Sequence, residues 1–148
     1  MGFVVEKITA PMLFSIAELE KECFREPWSE DSLKMLLAEN AFGFAVLLDG
    51  RAVAYGGMMT VLDEGQITNI AVSSEYRRRG LGRAVTEALL EYAVNKGIVS
   101  VSLEVRASNV PAIALYESLG FALCGVRKDF YRMPTENALV MVWNKENT

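Results

Sequence analysis

The sixteen residues from Asn69 to Ala84, NIAVSSEYRRRGLGRA, constrain the fold more than any other stretch of the chain. Ile70, Ala71 and Val72 are apolar and suit the end of a buried strand, and Ser73, Ser74 and Glu75 break the run. Gly80 and Gly82 then remove side chains where the backbone must bend or be approached closely. From Leu81 the apolar positions Val85, Ala88, Leu89, Tyr92 and Ala93 fall at helical spacing. The stretch is therefore strand, short basic loop, helix. A helix starting there points its free N–H groups and the positive end of its dipole into the loop, which favours an anion.

Arg77, Arg78, Arg79 and Arg83 surround that helix start in a chain of net charge −4, so the positive charge is local. Two readings of the residues stay open: a solvated basic turn, or a site for an anion. One short cluster in a chain of pI ≈ 5.0 is a poor footprint for nucleic acid. No Gly-Lys-[Ser/Thr] occurs, which excludes a P-loop. Gly80-Leu81-Gly82 is followed by Val85 where a dinucleotide fingerprint needs Gly or Ala, and it lies mid-chain rather than at the first strand.

The 148 residues suit one domain spanning 1–148 with a sizeable core. No histidine is present, so a Ser-His-Asp triad, a Cys-His pair and histidine metal ligands are excluded. Cys23 and Cys124 have neither metal spacing nor the density of a disulfide framework, and are expected as reduced, buried thiols. Glu6 and Lys7 interrupt the first apolar residues, and no apolar run approaches bilayer length. No leader or membrane segment is therefore expected, and the location expected is cytoplasmic.

Taken in order, residues 3–8 read as a strand, and Thr9-Ala10-Pro11 opens a helix running to about Arg25. Ser29 is a good N-cap for a second helix ending near Asn40, with Trp28 and Leu33 placed as a hydrophobic staple. Strands 42–48 and 51–60 flank Asp49-Gly50, a two-residue hairpin signal, and Gly56-Gly57 suggests a bulge or a close backbone approach. Strand 66–72 leads into the glycine loop and a helix stopped by Gly97. A strand at 98–105, a helix at 109–119 closed by Gly120, and a final hairpin of 121–131 and 137–144 complete the chain. The expected fold is mixed α/β, a central and mostly antiparallel sheet of about seven strands with about four helices on it. The strand–helix–strand units add some parallel pairing.

Ser102, Glu104 and Arg106 share one strand face. Glu104 is either an ion-pair partner of Arg106 or a general base. Asn109 is a preferred N-cap, and Tyr116 lies deep in an apolar helical run. An acidic groove near Glu20, Glu22 and Glu26 would suit many amines.

Arg77-x-x-Gly80-x-Gly82 fits the [Gln/Arg]-x-x-Gly-x-[Gly/Ala] signature of the GNAT acetyltransferases, and Asn109-x-x-Ala112-x-x-Leu115-Tyr116-x-x-x-Gly120-Phe121 fits their second signature, in family order and spacing. The stretches Leu103 to Asn109, Ala114 to Phe121 and Glu20…Phe24-x-x-Pro27-Trp28-Ser29 further resemble the bacterial ribosomal-protein-alanine acetyltransferases. The chain departs from that subfamily in having Phe130-Tyr131 for two tyrosines and Glu136-Asn137-Ala138 for Glu-Asp-Ala, both where an acceptor peptide would dock.

The resemblance implies acetyl-coenzyme A as cosubstrate and no metal. It implies a donor site from Ile70, Ala71, Val72, Arg77, Arg78, Arg79, Gly80, Leu81, Gly82 and Asn109, with a backbone N–H near Val72 polarising the thioester carbonyl. Glu104 would be the base, directly or through a water, and Tyr116 the acid that protonates the leaving thiolate. The implied partner is a protein N-terminus, that of ribosomal protein S18 with its N-terminal alanine, attacked directly in a ternary complex, with neither nucleic acid nor membrane involved. A small-molecule amine, a lysine side chain, or a coenzyme A sensor without turnover are the competing readings. The oligomeric state is left open.

Overall fold

The computed structural model describes residues 2–147. The elements are β1 (Val4–Lys7), α1 (Leu13–Cys23), α2 (Glu30–Leu33), β2 (Ala41–Leu48), β3 (Arg51–Val61), β4 (Glu64–Val72), α3 (Leu81–Asn95), β5 (Ser100–Arg106), α4 (Val110–Ser118), β6 (Ala122–Tyr131) and β7 (Glu136–Asn144), with short 3₁₀ turns between them. The strands form one seven-stranded sheet in the order β1-β2-β3-β4-β5-β7-β6. All pairings are antiparallel except β4 with β5.

Local chemistry accounts for most of the boundaries. Asp49 (φ 51°) and Gly50 (φ 79°) both take positive φ, as a tight hairpin turn requires. Ser29 caps α2 by accepting from the Ser32 N–H at 3.1 Å. The second helix is shorter than its sequence suggests: after one α turn it tightens into a 3₁₀ turn over Lys34–Leu37. Three-residue spacing stacks Leu33 and Leu36 on one face, and both are buried.

Two apolar cores cover the two sheet faces. Leu13, Ile16, Leu33 and Leu36 pack with Ala45, Tyr55 and Ala71 on one side. Val85, Leu89, Ala93 and Tyr116 pack with Val46, Ala54, Val101, Leu103 and Val105 on the other. The parallel pairing is narrower than strand–helix–strand units alone suggest, because β7 inserts between β5 and β6. Cys124 is exposed on the edge strand β6, contrary to the expectation of two buried thiols, while Cys23 is half-buried.

One irregularity positions everything that follows. Gly56 pairs with Ile70 and Met58 with Ile67, so β4 carries one residue more than β3 across this step. The bulge therefore sits in β4 at Thr68-Asn69, opposite Gly57, rather than at the glycines themselves. It resets the alternation, so that Ile67 and Ile70, three apart, both meet the α3 core. It also follows directly on the end of parallel pairing: β4 and β5 are joined only at Glu64–Ser100, Gly65–Val101 and Gln66–Ser102. Beyond Gln66 the two strands separate.

Candidate active site

The gap between β4 and β5 opens a cavity of about 760 Å³. Its walls are residues 67–70 of β4 and 103–106 of β5, the α1–α2 loop through Trp28, the start of α4 at Ser108 and Asn109, and the β6–β7 turn from Phe130 to Glu136. Glu104 and Tyr116 both line it. They arrive from opposite sides of the sheet. Val101, Leu103 and Val105 point into the α3 core, so Ser102, Glu104 and Arg106 point to the α1 side. Tyr116 belongs to the α3 core and reaches the cavity from α4. Only the separation of the two strands lets them share one space.

Glu104 is held at both oxygens: Gln66 Nε2 donates to Oε1 at 3.2 Å and Arg127 Nε lies 3.2 Å from Oε2. Its ion-pair partner is thus Arg127, reaching across β7, and not Arg106. Residues two apart on a strand are separated by about 6.6 Å of backbone rise. Arg106 is drawn instead to Glu136 at 3.2 Å. The Tyr116 hydroxyl is pushed up to about 12, first by burial and then by the neighbouring Tyr131. Tyr131 is also pushed up to about 12, by burial and by the charge of Glu104. Gln66 and Arg127 carry no signal in the sequence, because each reaches Glu104 from a strand remote along the chain; Tyr131, legible there only as part of the expected acceptor wall, proves to be the neighbour of both Glu104 and Tyr116.

The β3–β4 ladder decides which backbone groups face the gap. The Ser73 N–H donates to the Val53 carbonyl at 2.8 Å, so Ala54–Val72 and Gly56–Ile70 are non-hydrogen-bonded pairs. The N–H groups of Ile70 and Val72 therefore point away from β3, toward the edge that β5 has left. Ala71 is the exception among the expected donor-site residues: its ladder position faces β3, and its side chain is buried in the α1 core. The Val72 carbonyl accepts from Cys23 Sγ at 3.4 Å and from Arg77 Nε at 3.2 Å.

That edge leads to the start of α3. Gly80 is its N-cap, with φ 76°, and no side chain caps the helix. The N–H groups of the first turn, Leu81 and Gly82 among them, therefore have no side-chain cap. The four arginines do not all converge there. Arg77 folds back onto Val72, Arg79 lies over the Tyr76 ring at 5.8 Å, Arg83 donates to Ser118 Oγ at 2.5 Å, and Arg78 is exposed with φ 65°. Asn109 caps α4 by accepting from the Ala112 N–H at 3.3 Å, which leaves its amide donors for the cavity it lines.

The acidic groove expected near Glu20, Glu22 and Glu26 does not form. Glu20 is fully buried and accepts from Tyr55 Oη at 2.5 Å, the Trp28 N–H at 2.9 Å and Asn69 Nδ2 at 3.0 Å. It ties α1 to the loop before α2 and to the β4 bulge. Glu22 accepts from the Ser74 N–H at 2.7 Å and from the hydroxyls of Ser73 and Ser74, which holds it below the usual carboxylate range. Glu26 alone of the three lines the cavity. The burial of Glu20 has a signal in the sequence: with Leu13, Ile16 and Ala17 it falls on the apolar stripe of α1.

A divergent strand pair, an uncapped helix start beside it and a carboxylate–tyrosine pair in the gap define an acyltransferase of the GNAT type. Residues 13–121 match the model of the acetyltransferase (GNAT) family, and the chain belongs to this family of acetyl-coenzyme A-dependent N-acetyltransferases. It is 40% identical over 127 residues to the [ribosomal protein bS18]-alanine N-acetyltransferase of Escherichia coli strain K12, covering 83% of this chain and 84% of that one. The enzyme of the same description from Haemophilus influenzae is 32% identical over 141 residues, covering 93% and 96%. The crystal structure of the ribosomal-protein-S18-alanine N-acetyltransferase from Escherichia coli superposes with a TM-score of 0.90 at 34% identity, over 97% of this chain and 94% of that one. Among the described residues no helix is long and apolar enough to cross a membrane.

Proposed function

We propose that this chain, working as one acetyltransferase domain over its length, acetylates the N-terminal α-amine of a protein, the alanine that begins ribosomal protein S18, by direct attack in a ternary complex. The observation that carries the reading is the shared cavity of Glu104 and Tyr116 between β4 and β5. The acceptor follows from the relatives named above, whose descriptions specify it.

The residues present fit acetyl-coenzyme A. The outward N–H groups of Ile70 and Val72 suit the amide-bearing arm, the uncapped start of α3 at Gly80 to Gly82 suits the pyrophosphate, and Asn109 keeps free amide donors. Arg77, Arg78 and Arg79 add positive charge around that start. When bound, acetyl-coenzyme A supplies an acetyl group activated as a thioester and a sulfur leaving group.

An N-terminal amine has a pKa of about 8 and arrives mostly as ammonium at neutral pH. Glu104, flanked by Gln66 and Arg127, attracts that cation and takes its proton, directly or through one water. The Val72 N–H, left outward by the ladder, can donate to an oxygen that gains charge in the reaction. Tyr116 holds its proton at Oη throughout the neutral range. At about 12 it holds that proton more tightly than a thiol of pKa about 8.5, so what Tyr116 would supply to a leaving sulfur is a hydrogen bond from Oη.

The test is mass spectrometry of an alanine-ended peptide incubated with the chain and acetyl-coenzyme A. One acetyl on the α-amine is the expected result. An unmodified peptide, with coenzyme A binding intact by calorimetry, moves the acceptor to lysines or small amines.

A further inference from the structure

We propose that Arg106, held by Glu136, is the positioning residue of the acceptor wall. Its guanidinium clamps the β6–β7 turn and the Tyr131 ring against the end of β5, and so sets how an acceptor amine meets Glu104. The acceptor side of this inference rests on the function proposed above.

Arg106 Nη2 donates to the Arg132 carbonyl at 2.8 Å, and Nη1 donates to the Pro134 carbonyl at 3.0 Å and to Glu136 Oε1 at 3.2 Å. The same group covers the Tyr131 ring, 4.5 Å from its centroid. The second oxygen of Glu136 accepts from the Ser108 N–H at 2.6 Å, which fastens the assembly to the start of α4. Tyr131, Arg132, Pro134 and Glu136 all line the cavity, so the clamped segment is a wall of the site itself.

One planar cation thus serves two carbonyls, a carboxylate and an aromatic face. A lysine offers a point charge and cannot fill the four roles at once. The strand that leads into the turn steadies it little: β6 is an edge strand exposed along most of its length, and its register with β7 breaks between Arg127 and Tyr131. None of these partners of the guanidinium belongs to the donor edge of β4 or to the start of α3. Asn109, the donor-site residue beside the clamp, is held independently of the guanidinium, by its N–H on the Arg106 backbone carbonyl at 2.9 Å and by its cap of α4. Loosening the clamp therefore disturbs the acceptor and spares the donor.

The test uses the full chain and the variants Arg106→Gln and Arg106→Lys. Peptide KM, coenzyme A affinity and amide exchange are measured for each. Arg106→Gln is expected to raise the KM for the alanine-ended peptide about ten- to a hundredfold, as misplacement of a substrate wall does. Coenzyme A affinity stays unchanged, and faster exchange is confined to residues 128–137. Arg106→Lys does not restore the KM. An unchanged peptide KM, a full rescue by lysine, or a fall in coenzyme A affinity with faster exchange across the whole sheet overturns the proposal. Should the wild-type chain leave the peptide unmodified, the proposed acceptor fails. Exchange at 128–137 then decides the clamp alone, and no change there in Arg106→Gln overturns it.

Discussion

The base role proposed for Glu104 rests on its placement: Gln66 and Arg127 fix the carboxylate at both oxygens, and the carboxylate lines the open cavity through which an amine would reach it. Glu104→Gln is expected to lower kcat/KM about 10²- to 10⁴-fold with coenzyme A binding intact, as loss of a general base does; a rate near wild type would remove Glu104 from the proton path. Tyr116 and Tyr131 both hold their protons up to about 12, so kcat should show no alkaline limb from loss of the acid until pH approaches that value. A limb at the ordinary tyrosine value of about 10 that vanishes in Tyr116→Phe would show that the hydroxyl titrates like a free tyrosine. Glu20 serves three donors, whereas glutamine accepts at only one oxygen and turns its amide nitrogen toward a donor. Glu20→Gln is expected to cost about 1–3 kcal/mol of stability, read as a lower urea midpoint at unchanged slope.

At the scale of the element, the start of α3 and the close pairing of β2 with β3 separate what the ligand needs from what the fold needs. A Cβ at Gly82 would lie 3.5 Å from Leu115 Cδ2, ordinary contact, inside the first turn of a helix where alanine is favoured. Gly82→Ala should therefore leave the melting temperature unchanged or raised, while coenzyme A binds more weakly, because the new methyl stands among the free N–H groups. Equal coenzyme A affinity in titration calorimetry would place the pyrophosphate elsewhere. Gly43 is the opposite case. A Cβ there would fall 2.7 Å from the Gly56 carbonyl oxygen, which is backbone and cannot rotate away. Gly43→Ala should lower stability by about 1–3 kcal/mol, the ordinary cost of overpacking, and a wild-type melting temperature would contradict the close approach of β2 and β3.

Across the whole molecule, pH loosens the structure from both ends. Glu22 and Glu136 lie below the ordinary value of 4.5 in the folded chain, through the hydrogen bonds of Ser74 and Ser108. Unfolded chains bind those protons first, so this stability is present above about pH 4.5 and is lost as pH falls through the lower folded values. The buried tyrosines act in the other direction: their contribution is complete below pH 10 and is lost as pH rises toward 12. Circular dichroism across both ranges checks the two limbs. Much of this molecule is local in origin. The Asp49-Gly50 turn, the Ser29 cap, the stop at Gly97 and the loop from Val72 to Leu81 depend on φ preferences and capping within a few residues, and each forms where the sequence indicates. The short second helix, the bulge in β4 and the place of β7 between β5 and β6 depend on partners far along the chain, which no local pattern encodes. The same division runs through the site. Glu104, Tyr116 and Asn109 are legible as residue types at a spacing, because helix and strand periods fix their neighbours. Three features of the site were left to the tertiary structure: Glu104 pairs with Arg127, Arg106 grips the β6–β7 turn, and two residues on opposite sheet faces meet in one cavity. The separation of β4 from β5 and the insertion of β7 decide them, since only packing in three dimensions sets which long side chains come within reach.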